Sequence, residues 1–132
     1  MLVAALRSTF GASNQLVEAV LTESLKPLIS VPLVLEYEAV LTRPEHLRAS
    51  GFSAEEAVKI VKAFCRSGEP VHLAYRLRPR LRDPNDEFVL ETAFHGLADV
   101  IVTFNRRDFE AAKEFGIHVI SPREAVKKMR DQ

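Results

Sequence analysis

The sequence predicts an α/β fold, a three-layer sandwich in which helices cover a mainly parallel sheet. Short apolar runs of strand length alternate along the chain with segments whose apolar residues recur every three to four positions. The clearest run, Val100 to Val102, is apolar at every position, as expected of a strand buried on both faces. Because helix-like segments stand on either side of it, the pattern favours a parallel sheet.

Length and composition indicate one ordinary globular domain. The chain has 132 residues, of which 47% are hydrophobic and 27% charged. No apolar run approaches the length of a membrane span and no signal peptide is recognisable, so we expect a cytoplasmic protein without membrane contact. The formal net charge is zero, so overall charge does not call for nucleic acid. The single Cys65 excludes an internal disulfide and a cysteine zinc site.

The first third of the chain predicts a helix, a strand and a second helix. A helical apolar period over residues 16–25 ends at Pro27, because proline interrupts a helix. Residues 28–30 then form a short buried strand. Pro32 suits the first turn of the next helix, which runs to Leu41.

The next segment predicts a capped helix and a second strand. Ser53 and Glu56 have the spacing of a capping box, in which each side chain bonds the backbone of the other residue. The helix that begins there ends at Gly68. Residues 69–73 form a short strand.

Four arginines alternate along YRLRPRLRDP, which reads as an extended linker after that strand. Alternate side chains of an extended segment lie on one side. The strip therefore either contacts phosphates or forms a solvated edge with salt bridges, and the sequence leaves both open. The four are Arg76, Arg78, Arg80 and Arg82.

Acidic and amide side chains surround the strand at 100–102. Asp83, Asp86 and Glu87 open the helix before it, and Thr103, Asn105 and Asp108 follow it. Open α/β sheets bind ligands outside the carboxyl ends of their strands, where a helix N-terminus also lies. We therefore predict a metal-binding carboxylate cluster at this edge. Helix capping is the alternative interpretation of Asp83, Asn105 and Asp108.

The remaining segments complete the alternation. Residues 107–115 predict a short helix, residues 117–120 a strand, and Ser121 with Glu124 the start of a final polar helix. Glu36 is a further acid of interest, because it lies on or beside the buried face of its helix. The alternative is an exposed glutamate among polar neighbours.

Three motifs resemble the PIN-domain family, in particular ribonuclease toxins of the VapC type. They are ISVPLVLEYEAVLTRP around Glu36, DPNDEFVLETA around Asp86, and ADVIVTFNRRDF around Asn105 and Asp108. The segment GIHVISPREAV is similar to the family's ending. The resemblance covers nearly the whole chain, so it implies a single PIN-like domain over residues 1–132.

The resemblance implies an endoribonuclease that depends on Mg²⁺ or Mn²⁺ and is the toxin of a toxin–antitoxin pair. A cognate antitoxin and a homodimer are then the expected protein partners. By position, Glu36, Asp86 and Asp108 match the family's second, third and fourth acids, and Asn105 matches an amide that accompanies them at the metal. Ser30 would help to hold metal-bound water. The residues we expect to contact RNA are Arg80, Arg82, Ser30 and Thr103.

The start of the chain departs from the family pattern. The family begins with an apolar strand ending in Asp, followed by a helix that LVAALRSTFGASNQL resembles. We therefore expect Met1 to Leu6 to lie inside that helix, in a chain shortened at its N-terminus that lacks the strand and its Asp. Three carboxylates should hold metal less tightly than four. The alternative function is a catalytically impaired PIN-like module that binds RNA or protein.

Overall fold

The computed structural model describes residues 1–7 and 14–131. Its strands form one parallel sheet in the order β3-β2-β1-β4-β5. The strands are β1 (Leu2–Leu6), β2 (Leu25–Ile29), β3 (Glu69–Pro70), β4 (Val100–Val102) and β5 (His118–Ile120). Because all strands are parallel, their carboxyl ends lie at one edge of the sheet.

Helices cover both faces of this sheet, which confirms the predicted α/β class. α1 packs against α4, while α5 packs against the 3₁₀ helix. The helices are α1 (Asn14–Leu21), α2 (Val31–Leu41), α3 (Pro44–Ser50), α4 (Ala54–Ser67), α5 (Pro84–His95), the 3₁₀ helix (Arg106–Phe115) and α6 (Pro122–Arg130). Right-handed crossovers put the helices leading to β2 and β3 on one face and those leading to β4 and β5 on the other. None of the helices in the described residues is long and apolar enough to cross a membrane.

The first strand overturns our expectation for the start of the chain. Leu2–Leu6 is not helical but forms the central strand, paired with β2 and with β4. Ala4 and Ala5 are fully buried, and a short apolar run fits a central strand as well as a helix. The strand is followed by Arg7, whose amide donates to the Val102 carbonyl at 3.0 Å. Residues 8–13 of the helix-like motif lie outside the described residues.

Three element boundaries also differ from the sequence-based prediction. Leu25 belongs to β2 instead of α1, and Pro27 lies within that strand. This proline is tolerated because β3 pairs with β2 only beyond it, at Leu28 and Ile29. β3 is shorter than predicted, and Pro44 begins a helix, α3, that was not predicted.

Both predicted capping boxes are present. The Glu56 amide donates to Oγ of Ser53 at 3.1 Å, and the Ser53 amide donates to Oε1 of Glu56 at 3.1 Å. Ser121 and Glu124 repeat the arrangement at the start of α6. Local side-chain bonds of this kind depend on spacing alone, which explains why the sequence predicts these helix starts correctly.

Tyr37 joins the carboxyl end of β1 to α2. Its hydroxyl donates to the Leu6 carbonyl at 2.6 Å, and its ring packs edge-on against Phe64 with 5.9 Å between centroids. Tyr37 is buried, and burial raises its pKa, so the hydroxyl stays protonated as a donor. This contact fixes the end of β1, and with it Arg7, relative to the helix that carries Glu36.

Replacing Tyr37 by phenylalanine is expected to lower the free energy of unfolding by about 1 kcal/mol. The substitution removes one buried hydrogen bond while keeping the ring. Urea unfolding measures the change. Tyr75→Phe is the control, because Tyr75 is 58% exposed. Equal effects of the two substitutions would contradict a structural role for the Tyr37 hydroxyl.

Candidate functional site

Four acidic side chains meet at the carboxyl edge of the sheet. Glu36 comes from α2, which begins directly after β2, and Asp108 comes from the 3₁₀ helix after β4. Asp83 and Asp86 come from the start of α5. Oδ1 of Asp83 accepts a hydrogen bond from the Asn85 amide at 2.9 Å, so the capping interpretation of Asp83 is confirmed. The predicted convergence of a helix start with strand ends is therefore present.

An arginine lies among these acids. Nε of Arg7 is 2.5 Å from Oδ1 of Asp86, and its two terminal nitrogens are 3.8 Å from Oε1 of Glu36 and 3.9 Å from Oδ2 of Asp83. One guanidinium thus joins acids from two helices at the end of the central strand. Arg7 was not among the site residues predicted from the sequence. The available signal was a single cation that directly follows the apolar run at 2–6.

Asp86 is the most buried of the four acids. It is 2% exposed, and its pKa is raised to about 6, with burial as the main cause. Arg7 lowers this pKa, whereas Asp83 and Asp108 raise it. Although Nε of Arg7 is close, Oδ1 of Asp86 accepts no well-aligned hydrogen bond from the described residues, so the contact is best described as an ion pair. The site therefore holds a carboxyl group that titrates near neutral pH.

The acids suit a hard divalent cation in their chemistry but not in their present arrangement. Carboxylate oxygens are the preferred ligands of Mg²⁺ and Mn²⁺. Within residues 1–7 and 14–131, however, no three histidine, cysteine or acidic side chains are arranged to hold a metal ion. The positive charge between Glu36 and Asp86 is the Arg7 guanidinium. Arg7 would therefore have to move before a divalent ion could bind between these carboxylates.

A cleft of about 570 Å³ opens beside the acids. Asp108 and Asn105 line it, together with Arg107 from the 3₁₀ helix. The side chain of Asn105 makes no capping hydrogen bond, so the capping interpretation does not hold for it. The exposed Arg80 and Arg82 also line the cleft. Arginines, which commonly bind phosphates, and acids therefore line the same space.

The arginine strip is not one-sided as predicted. The guanidinium of Arg78 turns inward and lies 4.1 Å from the centre of the Phe88 ring, with Nε 3.4 Å from Oε1 of Glu91. The buried Glu91 also accepts from the Leu77 amide at 2.8 Å. These contacts turn one of the four arginines toward α5 and leave the others exposed.

A second buried glutamate fixes the same segment. Oε1 of Glu87 accepts from the amides of Arg80 and Leu81, at 2.5 Å and 3.0 Å. Glu87 is 6% exposed, so these bonds are shielded from water. From the sequence, Glu87 was predicted only as one of the acids that open the helix. Its structural role is to hold the arginine segment against α5.

Ser30 and Thr103 are buried and bond within the protein. Oγ of Ser30 lies 2.8 Å from Oγ1 of Thr92, whose own proton goes to the Phe88 carbonyl at 2.7 Å, so Ser30 is the donor. Oγ1 of Thr103 accepts from the Asn105 amide at 3.1 Å. Ser30 and Thr103 are 3% and 2% exposed, so their burial does not support the predicted contacts with RNA or with metal-bound water.

The parallel sheet, the acids at its carboxyl edge and the adjoining cleft define an α/β domain with one candidate site at the carboxyl ends of its strands. A family model described as a PIN domain matches residues 1–107, and the chain belongs to the PIN-domain family. Membership indicates a nuclease-type function and RNA as the class of ligand, in a family that generally depends on divalent metal. A comparison with curated proteins gave no match. The family match ends one residue before Asp108, so the position of Asp108 at the site rests on the structure and not on the match.

Proposed function

We propose that this protein is an endoribonuclease that hydrolyses RNA phosphodiester bonds at the site formed by Glu36, Asp86 and Asp108. The observation that carries the proposal is the environment of Asp86. It is a buried carboxyl group with a pKa near 6, and its titration responds to Asp108 and Asp83. Strongly perturbed acids of this kind are concentrated at active sites.

The residues of the site support hydrolysis in distinct ways. A carboxylate with a pKa near 6 is ionised at neutral pH and is suited to accept a proton from an attacking water. Arg80, Arg82 and Arg107 line the adjoining cleft and would bind the phosphates that flank the scissile bond. Arg7 would neutralise charge that grows on the phosphate during the reaction.

Dependence on Mg²⁺ or Mn²⁺ is part of the proposal and rests on family membership. The proposed ligands are the carboxylates of Glu36, Asp86 and Asp108 and the amide oxygen of Asn105. Binding would require Arg7 to release Glu36 and Asp86, with which it is in contact at 3.8 Å and 2.5 Å. The Glu36 contact is long and partly exposed and contributes little to stability, whereas beside the buried Asp86 the ion would have to supply the positive charge that Arg7 now provides.

We also propose that the protein is the toxin of a toxin–antitoxin pair. Val31 and Leu35 lie one turn apart on α2 and are 74% and 61% exposed. Leu35 directly precedes Glu36, so an apolar segment of an antitoxin, or of a second copy of this chain, that bound to this surface would lie next to the site. Two such side chains at helical spacing are typical of contact surfaces between proteins.

The second candidate function is an RNA-binding PIN module without hydrolysis. The observation in its favour is Arg7, which pairs with Asp86 at the end of the central strand. In the PIN-domain family, which this sequence resembles, the first strand is expected to end in an acid, near the position that Arg7 occupies here. A fixed guanidinium would neutralise the acids and favour phosphate binding over hydrolysis.

Cleavage of an end-labelled RNA tests the proposal. We expect cleavage with Mg²⁺ or Mn²⁺, none with EDTA, and a loss of about a hundredfold with Glu36→Gln. Glu38→Gln is the matched control, because Glu38 lies on the same helix and is exposed. RNA that is bound but left intact by every form would instead favour the second candidate.

A further inference from the structure

A second groove, outside the acidic site, is lined by Phe104, the residue before Asn105. It has a volume of about 580 Å³ and lies between the first turn of α1, the residues after β4, and α6. Among the described residues, its lining contains three cations, one amide and no acid: Gln15, Phe104, Pro122, Arg123, Val126, Lys127 and Arg130. The proposed hydrolysis uses none of these residues.

The cations of the groove form one row along α6. Arg123, Lys127 and Arg130 are spaced i, i+4 and i+7, so their side chains leave the helix on the same face. Like charges at this spacing destabilise a helix unless an anion lies between them. No carboxylate of the described residues lies within ion-pair distance of these three, whereas Glu124 on the same helix pairs with Arg106 at 3.1 Å. The row is therefore complementary to a polyanion.

Phe104 adds an exposed aromatic ring to this row. It is the second residue after β4 and is 67% exposed, although Thr103 before it is buried. A ring presented beside cations is the combination with which proteins bind single-stranded nucleic acid, since bases stack on the ring while cations bind phosphates. The next residue, Asn105, lines the cleft beside the acids. A strand whose base stacks on Phe104 would therefore lead into the proposed hydrolytic site.

We propose that Phe104 and the α6 row Arg123, Lys127 and Arg130 form a binding groove for single-stranded RNA, in which a base stacks on Phe104. The inference rests on the proposed function for its substrate and adds that the substrate is unpaired next to the cut. A duplex does not fit this groove, because its bases are already stacked on one another and are not available to the ring.

Binding of a fluorescein-labelled oligouridylate in EDTA tests the groove without cleavage. Phe104→Leu is expected to weaken binding about tenfold, because leucine keeps the apolar volume but cannot stack as a ring does. Phe104→Tyr keeps the ring and should retain the affinity. Tyr75→Leu controls for loss of an exposed aromatic elsewhere. Equal affinities of Phe104→Leu and wild type would overturn the proposal.

The cationic row is tested through salt dependence. Replacing Arg123, Lys127 and Arg130 together by alanine should reduce the slope of log affinity against log salt by about two, since each phosphate contact on a single strand contributes about 0.7. Lys128→Ala is the control, because Lys128 lies on α6 outside the groove lining. An unchanged slope, or an acidic peptide that binds the row while oligouridylate does not, would overturn the proposal.

The two proposals can fail separately. If RNA is never cut but Phe104→Leu still weakens its binding, the groove stands and the nuclease proposal falls. If RNA is cut and none of the groove substitutions alters binding, the nuclease proposal stands and the groove falls. Phe104 is exposed and its substitutions should not impair folding, which thermal unfolding followed by circular dichroism verifies.

Discussion

Asp86→Asn is expected to reduce RNA cleavage about a thousandfold while the protein stays folded. The amide has the same shape as the carboxyl group but cannot accept a proton from water, and it is a poor ligand for a hard cation. Asp86 is buried beside Arg7, with Asp108 close enough to affect its pKa. Initial rates on a labelled RNA with Mn²⁺ measure the effect.

Asp83→Asn is the matched control for that substitution. It removes the same charge from the same helix start, and asparagine still caps a helix well. Asp83 is 46% exposed at its side chain and contacts Arg7 only at 3.9 Å. We expect a loss below about tenfold. Equal losses at both positions would mean that net charge, not Asp86 itself, controls the rate.

Asp86→Asn should also change the pH dependence of the free energy of unfolding, measured in EDTA. The folded protein holds the Asp86 proton more tightly than the unfolded chain, because its pKa is raised from 3.8 to about 6. This contribution to stability is fully present below pH 4 and is lost as pH rises through 6, by up to about 3 kcal/mol. Burial is the main cause of this raised pKa; Arg7 lowers the pKa, and Asp83 and Asp108 raise it. Asparagine does not titrate, so the variant should gain stability relative to wild type between pH 5 and 7.5.

Arg7→Ala is expected to destabilise the metal-free protein by about 3 kcal/mol at pH 7.5. The substitution leaves the buried Asp86 without its cation, and an uncompensated buried charge is costly. Arg7 lowers the pKa of Asp86, so its loss raises that pKa further. The effect should shrink at pH 5, where Asp86 is protonated in both proteins. Urea unfolding at the two pH values in EDTA measures the difference.

Mn²⁺ should raise the melting temperature of the Arg7→Ala protein more than it raises that of wild type. Removal of the guanidinium leaves the carboxylates free to bind an ion, and binding at a hundred times the dissociation constant stabilises by about 2.7 kcal/mol. Arg48→Ala is the control, because Arg48 is exposed on α3. A Mn²⁺-dependent rise in melting temperature equal in wild type and Arg7→Ala would show that Arg7 and the metal do not compete.

Local patterns in the sequence determined much of the fold. Both capping boxes, the helix that starts after Asp83, and the buried run Val100–Val102 were predicted correctly. Each depends on residues only a few positions apart. The meeting of acids at one edge was also predictable, because it follows from their places next to helix starts and strand ends in a parallel sheet.

Only the tertiary structure decided the features that depend on contacts between distant segments. Leu2–Leu6 is a strand because β2 and β4 pair with it on both sides, while its composition alone also fits a helix. Arg78 faces inward because the buried Glu91 and the Phe88 ring bind it, against the alternation of its own segment.

The acids of the site were predictable from the sequence, but the cation that lies among them was not. The sequence determined which carboxylates lie at the carboxyl edge, because their positions follow from local secondary structure. The tertiary structure decided that Arg7, 29 positions before Glu36 and 79 before Asp86, lies among them. It also brought Phe104 beside the cations of α6. Such pairings depend on how the elements pack in space, and the spacing of residues within one helix or strand does not encode that packing.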